Sequence, residues 1–389
     1  MLAIIGVAVF WYVLVPVGGA FWIRHTWRKF RGRFDGLRLV PLLDYARYQE
    51  KTISGKNFRF LGGMESLTDE DTLWVRNREL TIPVALHKAH AYMLPQPESG
   101  DFFAPFDPGQ ELPRRVHWGK ISTINEGAKV FIGGRLELID DRLTFVSTKE
   151  EPLLIIFYDG PDSSLTVRAI RAGRHTNEYW NRLTPYALAL GISSQLLIAL
   201  SYMQRPAFRL SAITAFAAAF GPLFPLVPPG VLFTVICGRL WWRARIYRAY
   251  RDLVRLPLKY IPPDKDEGSL PDNERYGYIR YAVLPPWVAE AKFPLTPPGV
   301  IPRKHEVWYV YGTLPEKNQE HPGGDELDTL LLKPDDPFAT YGAIPGDPKI
   351  LARRYTVHAY VLEILSCILM AAGIGLNCLF VAMILFFLL

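Results

Sequence analysis

Residues 1–23 read MLAIIGVAVFWYVLVPVGGAFWI, and the next ten read RHTWRKFRGR. A charge-free stretch of this length makes a helix of about 35 Å, enough to cross a hydrocarbon core of about 30 Å. A cleaved export signal carries its positive charge before the apolar core. Here the charge comes after it, as Arg24, Arg28, Lys29, Arg31, Arg33 and Arg38 against a single Asp35. The pattern predicts an uncleaved anchor with its N-terminus outside; cleavage near Gly18-Gly19-Ala20 is the alternative.

Three more apolar runs lie further along the chain. Thr184–Met203 is followed by the short connection 204–209 and then by Leu210–Cys237, which together predict a hairpin. The second of these runs contains Pro222, Pro225, Pro228 and Pro229. Each proline removes an amide donor and clashes with a preceding carbonyl, so a straight helix cannot pass through 222–229. Two short spans turning there would carry Arg239, Arg243, Arg245, Arg248, Arg251, Arg255 and Lys259 outside, against the positive-inside tendency. One broken crossing is therefore expected. The last run, 357–389, comes after Lys349, Arg353 and Arg354 and has no basic residue after it. The reading is a multi-pass α-helical membrane protein of four spans, with both termini outside. Its segments are 1–23, a cytoplasmic 24–183, a hairpin at 184–237, a cytoplasmic 238–356 and a last span at 357–389.

Composition agrees with this. A chain of 389 residues that is 49% hydrophobic and only 21% charged is too apolar for an ordinary soluble protein. Its three cysteines, Cys237, Cys367 and Cys378, all lie inside apolar runs, which excludes a disulfide framework and paired CxxC zinc knuckles. The formal charge of +6 arises largely beside the spans, where anionic lipid is the simpler partner than nucleic acid. Arg24, Arg28, Lys29, Arg31 and Arg33, with Arg239, Arg243, Arg245, Arg248 and Arg251 on a juxtamembrane helix, are the residues expected to meet headgroups. These features fit a plasma membrane, specifically a bacterial inner membrane.

Between the first two spans lie short β-rich segments at 58–61, 72–76, 80–85, 129–132, 142–146 and 153–158, with turn residues between them. They predict a small barrel or sandwich. In Glu126-Gly127-Ala128-Lys129-Val130-Phe131-Ile132-Gly133-Gly134-Arg135-Leu136 a glycine turn feeds a strand. The glycine pair lets that strand bend or admit a close neighbour, and Ile139-Asp140-Asp141-Arg142 supplies a tight turn. Residues 120–158, and 56–93 by strand pattern, resemble the OB-like barrels attached to spans in the NfeD family. They also resemble the β domain between two spans in the GIDE family of membrane ubiquitin ligases. The GIDE proteins carry a cysteine-rich RING that this chain lacks, so ligase activity does not carry over. The NfeD resemblance implies a membrane-tethered, non-catalytic interaction module.

The second hydrophilic region holds half of the chain's 32 prolines between residues 251 and 350. It reads as a proline-rich α+β region whose clearest strand is 307–314. That strand and the segments after it echo 130–171: alternating strand, Pro-hydrophobe element, Gly/Asp/Pro turn, helix. The order raises an internal duplication of 120–183 in 300–356, beside a chance likeness of short β motifs.

No motif dictates a chemistry. His87 and His90 are spaced for metal only on a helix, and their surroundings read as strand, where residues three apart face opposite ways. Glu316, Glu320, His321, Asp325, Glu326 and Asp328 surround Pro322-Gly323-Gly324 without an EF-hand spacing and read as a solvated acidic turn. Ser193 and Ser194 lack a nearby base. Tyr179 and Trp180 suit an aromatic belt. Glu363 in the last span is expected near the cytoplasmic headgroups, and Asn377, flanked by Gly373 and Gly375, at a close-packed helix interface. No catalytic residue, metal site or cofactor is expected. The functional expectation is a scaffold or assembly protein that binds a protein partner or a second copy of itself. A transporter or membrane-enzyme subunit using the broken span or the His321 loop is the alternative.

Overall fold

The computed structural model describes residues 1–49, 53–68, 72–94, 106–108, 113–117, 121, 124–125, 127–175, 177–259, 276–284, 306–313, 331, 336–338 and 341–388. In chain order the elements begin with α1 (Leu2–Leu37, with a π turn at Phe10–Leu14) and α2 (Tyr45–Gln49). The strands β1 (Asn57–Thr68), β2 (Thr72–Arg76), β3 (Thr81–Ala85), β4 (His90–Met93), β5 (Arg114–Val116), β6 (Lys129–Ile139), β7 (Arg142–Val146) and β8 (Leu154–Tyr158) come next. Then come α3 (Asp162–Arg171), α4 (Thr184–Met203), α5 (Arg209–Ala219), a 3₁₀ stretch at Gly221–Leu226 and α6 (Gly230–Arg255). The chain closes with β9 (Tyr276–Tyr281), β10 (Trp308–Thr313), β11 (Gly342–Pro345) and α7 (Pro348–Leu388). Two compact units result. One is helical and comprises Met1–Arg28, His175–Tyr247 and Thr356–Leu389; the other, β-rich, comprises Lys29–Arg174 and Arg248–Tyr355.

In the helical unit α1, α4 and most of α7 are long and apolar enough to cross a membrane. Their outer faces are lined with exposed Leu2, Ile5, Trp22, Leu197, Leu200, Ile364 and Ile368, an apolar coat of the kind that marks a membrane-facing or interaction surface. The inner faces are small. Ile4 is buried against Ala199 and Ala215, Gly191 leaves room for the Tyr12 ring, and Gly373 for Phe233. Where hydrocarbon supplies no hydrophobic drive, such close approach lets dispersion hold helices together.

The expected third span is divided. The prolines stop α5 at Ala219, the chain passes through 3₁₀ turns, and helix resumes at Gly230. Neither α5 nor α6 alone is both long and apolar enough to cross. The carbonyls freed at the break are taken up by protein. Asn377 donates to Phe224 O at 2.6 Å and to Val227 O at 3.0 Å, and the Thr234 hydroxyl donates to Pro225 O at 2.8 Å. Gly230 lies against Phe224 O and the Asn377 amide, a position where no Cβ fits, whereas a Cβ at Gly375 would meet open space. Asn377→Leu removes the side-chain donor from both carbonyls and leaves them the longer backbone bonds, from Val227 N to Phe224 O at 3.4 Å and from Val231 N to Val227 O at 3.3 Å. It is expected to cost about 1–3 kcal/mol in equilibrium unfolding of the purified chain in mixed micelles.

In the β-rich unit five strands close into a barrel. β1 pairs antiparallel with β2, β2 with β3 and β6 with β7; β3 meets β7 in parallel at Val84 and Phe145; β6 returns to β1 over Asn57↔Arg135 to Gly63↔Lys129. A register irregularity between Met64 and Ser66 lets β1 leave β6 and continue along β2, as bulges do where a sheet must curl. Alternate residues point inward, so Phe58, Phe60, Leu73, Val75, Ile82, Val84, Val130, Ile132 and Phe145 make the core. The other edge of β6 carries an extension, β8–β4–β5; the sequence pattern predicts β8 and reads strand around His90 in β4, but gives no sign of β5.

The small barrel expected from the sequence is thus present, and both anticipated devices act in it. Asp140 and Asp141 both take positive φ (49° and 61°), the two-residue hairpin geometry that matches strand twist. A Cβ at Gly133 would meet Leu37 of α1 at 2.9 Å, and one at Gly134 would meet Leu153 at 2.7 Å. The glycine pair therefore admits neighbours on both faces of β6. Residues 86–89 form a turn with Lys88 at φ 61°, so His87 lies outside the strand that the sequence suggested.

A second sheet has the order β11–β10–β9, with Val310, Ala343 and Leu331 buried on one face. The order β10–β11, Gly346 at φ 80°, then α7 parallels β6–β8, Gly160 at φ 90°, then α3. Asp347 caps α7 by accepting the Lys349 amide at 2.7 Å.

Candidate functional site

The helical unit holds a chain of alternating charges contributed by four segments. Arg24 on α1 donates to one carboxylate oxygen of Glu178, in the loop before α4. Arg245 on α6 donates to the other at 3.2 Å and also to Glu363 on α7. Glu178 and Arg245 are buried, and Glu363 nearly so. The Trp241 ring lies within cation–π reach of both guanidinium groups, 5.1 Å from that of Arg24 and 4.6 Å from that of Arg245. The sequence could not show this. Arginine, with a planar fork of five donors, is the residue able to bridge two carboxylates in a desolvated site, yet Arg245 reads as one basic residue in a row and Glu178 as part of an aromatic belt.

Beside Glu178 is a cavity of about 350 Å³, lined by Ile23, His175, Asn177, Trp180, Asn181 and Arg182. Asn181 closes one side, donating to Pro16 O at 2.8 Å, and Gly19 is the position that lets it come so near. Both oxygens of Glu178 are already engaged by arginines. The arrangement offers a tie between four segments and a small open hollow beside it.

The residues expected at headgroups divide by environment. Arg28, Lys29, Arg239 and Arg243 are exposed. Arg24 and Arg245 belong to the charge chain above, and Glu363 meets Arg245 rather than lying free at the surface. Arg31 donates to Ala172 O at 2.6 Å, Arg251 pairs with Asp252 at 2.6 Å, and Arg248 is half-buried. In the β-rich unit, buried Arg174 also holds Asp252. The Asp252 carboxyl is kept below its ordinary range: burial alone would raise it, but Arg174 and Arg251 outweigh that.

Two further clusters lie in the β-rich unit. Phe338 is almost wholly buried, its ring 5.2 Å from Phe131 on β6 and 6.3 Å from Phe34 on α1. The buried Arg59 guanidinium lies 4.9 Å from that ring and bonds Asp336 at 2.5 Å. The other is around His90, whose Nδ1 accepts from Arg33 at 3.3 Å. Burial, then the charges of Arg115, Arg33 and Lys29, lower the His90 pKa to about 4. With the folded value below the unfolded one near 6.5, the neutral ring's contribution is complete above pH 6.5 and is lost as pH falls toward 4. The unfolding midpoint is expected to fall across that window. His90→Asn, which keeps an acceptor and does not titrate, is expected to flatten the fall, as a pH series of thermal unfolding checks.

Among the described residues no three His, Cys, Asp or Glu side chains lie together in a way that could hold a metal ion. The acidic turn around His321 lies outside the described residues. No protein-family model, no curated protein and no solved structure matches the chain.

Proposed function

We propose that the chain is a four-span protein of the plasma membrane, bacterial inner membrane in type, whose β-rich unit faces the cytoplasm and acts by binding a protein partner. The observation that carries this is the composition of that unit. Residues 29–174 and 248–355 fold together although 73 residues of mostly helix separate them. Two stretches of one folded body lie on one side of a membrane, so the chain between them crosses an even number of times. The helix α4 is one crossing; α5, the 3₁₀ stretch and the start of α6 then make the return together, as one broken span. The helices α1 and α7 each lead out once, which sets both termini on the far side and agrees with the basic flanks.

The ring order β1–β2–β3–β7–β6, with β3 and β7 parallel, is that of OB-type Greek-key barrels and supports the likeness to NfeD modules. Exposed Arg28, Lys29, Arg239 and Arg243 are the residues left to meet anionic headgroups. The transporter or membrane-enzyme alternative relies on backbone oxygens being free at the broken span, and Asn377 and Thr234 occupy them.

Co-purification from mildly solubilised native membranes, with a tag on the C-terminus, tests the binding role. One stoichiometric partner, lost on reversing charge at exposed barrel residues such as Glu65, Arg76 or Arg142, is the expected result. Absence of any partner together with retained metal or small-molecule substrate would favour the alternative.

A further inference from the structure

The face of β4 covered by α1 gathers positive charge without a carboxylate paired to it among the described residues. Lys29 and Arg33 are four residues apart on α1 and so share one face of it. His90 and Tyr92 are two apart on β4 and share a face of the sheet, and Arg115 on β5 is in register with Tyr92. Phe30 seats the helix on that face, its ring 4.4 Å from Tyr92, and Arg33 reaches His90. The charges of Arg115, Arg33 and Lys29 all reach the His90 ring and, after burial, lower its pKa, which disfavours a fourth like charge there.

None of Lys29, Arg33 and Arg115 forms an ion pair among the described residues. The carboxylate whose field reaches Arg33 is Glu151, which is exposed and accepts a hydrogen bond from Asn57 at 3.3 Å. Several buried or half-buried arginines elsewhere are met by carboxylates, Arg24 and Arg245 by glutamates, Arg174 and Arg251 by Asp252 and Arg59 by Asp336, while Arg31 and Arg168 bond backbone carbonyls. Three converging cations beside a neutral imidazole and a phenol are a donor set for an oxyanion, with charge-assisted bonds from the guanidinium groups and the ammonium.

We propose that Lys29, Arg33 and Arg115, with His90 and Tyr92 at the floor, form a binding site for a phosphoryl group. This stands apart from the protein-partner reading and needs no partner. A phosphorylated solute and the phosphate of a lipid headgroup share this chemistry, and the experiment separates these two sources.

The full chain is placed in nanodiscs of phosphatidylcholine and titrated with inorganic phosphate by calorimetry. In a second arm, nanodiscs containing phosphatidic acid are used, and the lipid retained by the protein is counted by native mass spectrometry. The variants are Arg33→Gln, which still has an amide to donate to His90, and Arg115→Gln on an exposed edge strand, with Arg78→Gln at an unrelated exposed position as control. Phosphate binding weakened about tenfold by each of the first two, and unchanged by the control, supports the site and a soluble source. No response to free phosphate, but phosphatidic acid retention lost in the same two variants, supports the site and a lipid source. Retention of neither ligand, or binding indifferent to both substitutions in variants whose unfolding midpoint is unchanged, overturns the proposal. Failure of the chain to incorporate into nanodiscs at all would instead count against the membrane reading.

Discussion

Arg245→Ala lowers the stability of the helical unit by about 3–5 kcal/mol, the expected result of removing one member of a buried ion pair. In the intact chain Arg24, Glu178, Arg245 and Glu363 alternate in sign and sum to zero. Without Arg245, Glu363 loses that partner, Glu178 keeps Arg24 alone, and the Trp241 face loses one of its two cations. A small surface ion pair would contribute no more than about 1 kcal/mol, so the size of the loss separates a buried tie from an ornamental one. Arg245→Lys keeps the charge but presents a single ammonium where two carboxylates need a fork, and is expected to fall between. The double variant Arg245→Ala/Glu363→Ala removes a cation with an anion and leaves the Arg24–Glu178 pair matched. Its loss should be no larger than that of Arg245→Ala alone, a coupling of about 2 kcal/mol or more in a double-mutant cycle. Unfolding in mixed micelles, followed by far-UV circular dichroism, measures it. Strict additivity of the two single losses would show that the four charges do not act as a unit.

Legibility in the sequence depends on the range over which each signal acts. Helix length and the barrel strands are written locally, in a charge-free run such as 1–23 or in the alternation of Leu73, Val75, Ile82 and Val84, so they can be read from short windows. The hairpin at Asp140-Asp141 and the break at Pro222–Pro229 are local as well. Strand β5 escapes because it is only three residues long, and the start of β4 is misplaced because a turn at Lys88 precedes it. The tie through Glu178 escapes for another reason: its members are separated by 154 positions from Arg24 to Glu178 and by 118 from Arg245 to Glu363. A row of arginines after a span has the same appearance whether a given one meets lipid or a distant carboxylate. Only burial distinguishes exposed Arg243 from buried Arg245, two positions apart on one helix. The polar groups inside the apolar runs, Glu363 and Asn377, are the exception. Their cost in hydrocarbon announces a partner, though not which one.

Phe338→Ala is expected to loosen the barrel that the ring covers, by about 3–5 kcal/mol. The reason lies in β6, which is covered on both sides: Val130 and Ile132 face the barrel core, while Phe131 points outward to Phe34 and Phe338, with rings 5.4 and 5.2 Å away. Deleting the Phe338 ring opens a void against Phe131 and takes from Arg59 the aromatic face 4.9 Å from its guanidinium, so that Arg59 is held by Asp336. Residue 338 lies far along the chain from β6, yet it serves as part of the barrel's outer layer. Phe338→Leu keeps most of the volume and is expected to cost less than about 1.5 kcal/mol. Native-state hydrogen exchange read by mass spectrometry distinguishes local from general effects, because protection in peptides covering Lys129–Ile139 should fall more than a hundredfold in the alanine variant. Peptides from α4 should keep theirs, since the substitution touches only the β-rich unit. Unchanged protection over β6 would mean that Phe338 rests on the barrel without holding it. The two hydrophilic stretches would then be neighbours rather than one folded body, and an even number of crossings between them would no longer be required by their packing.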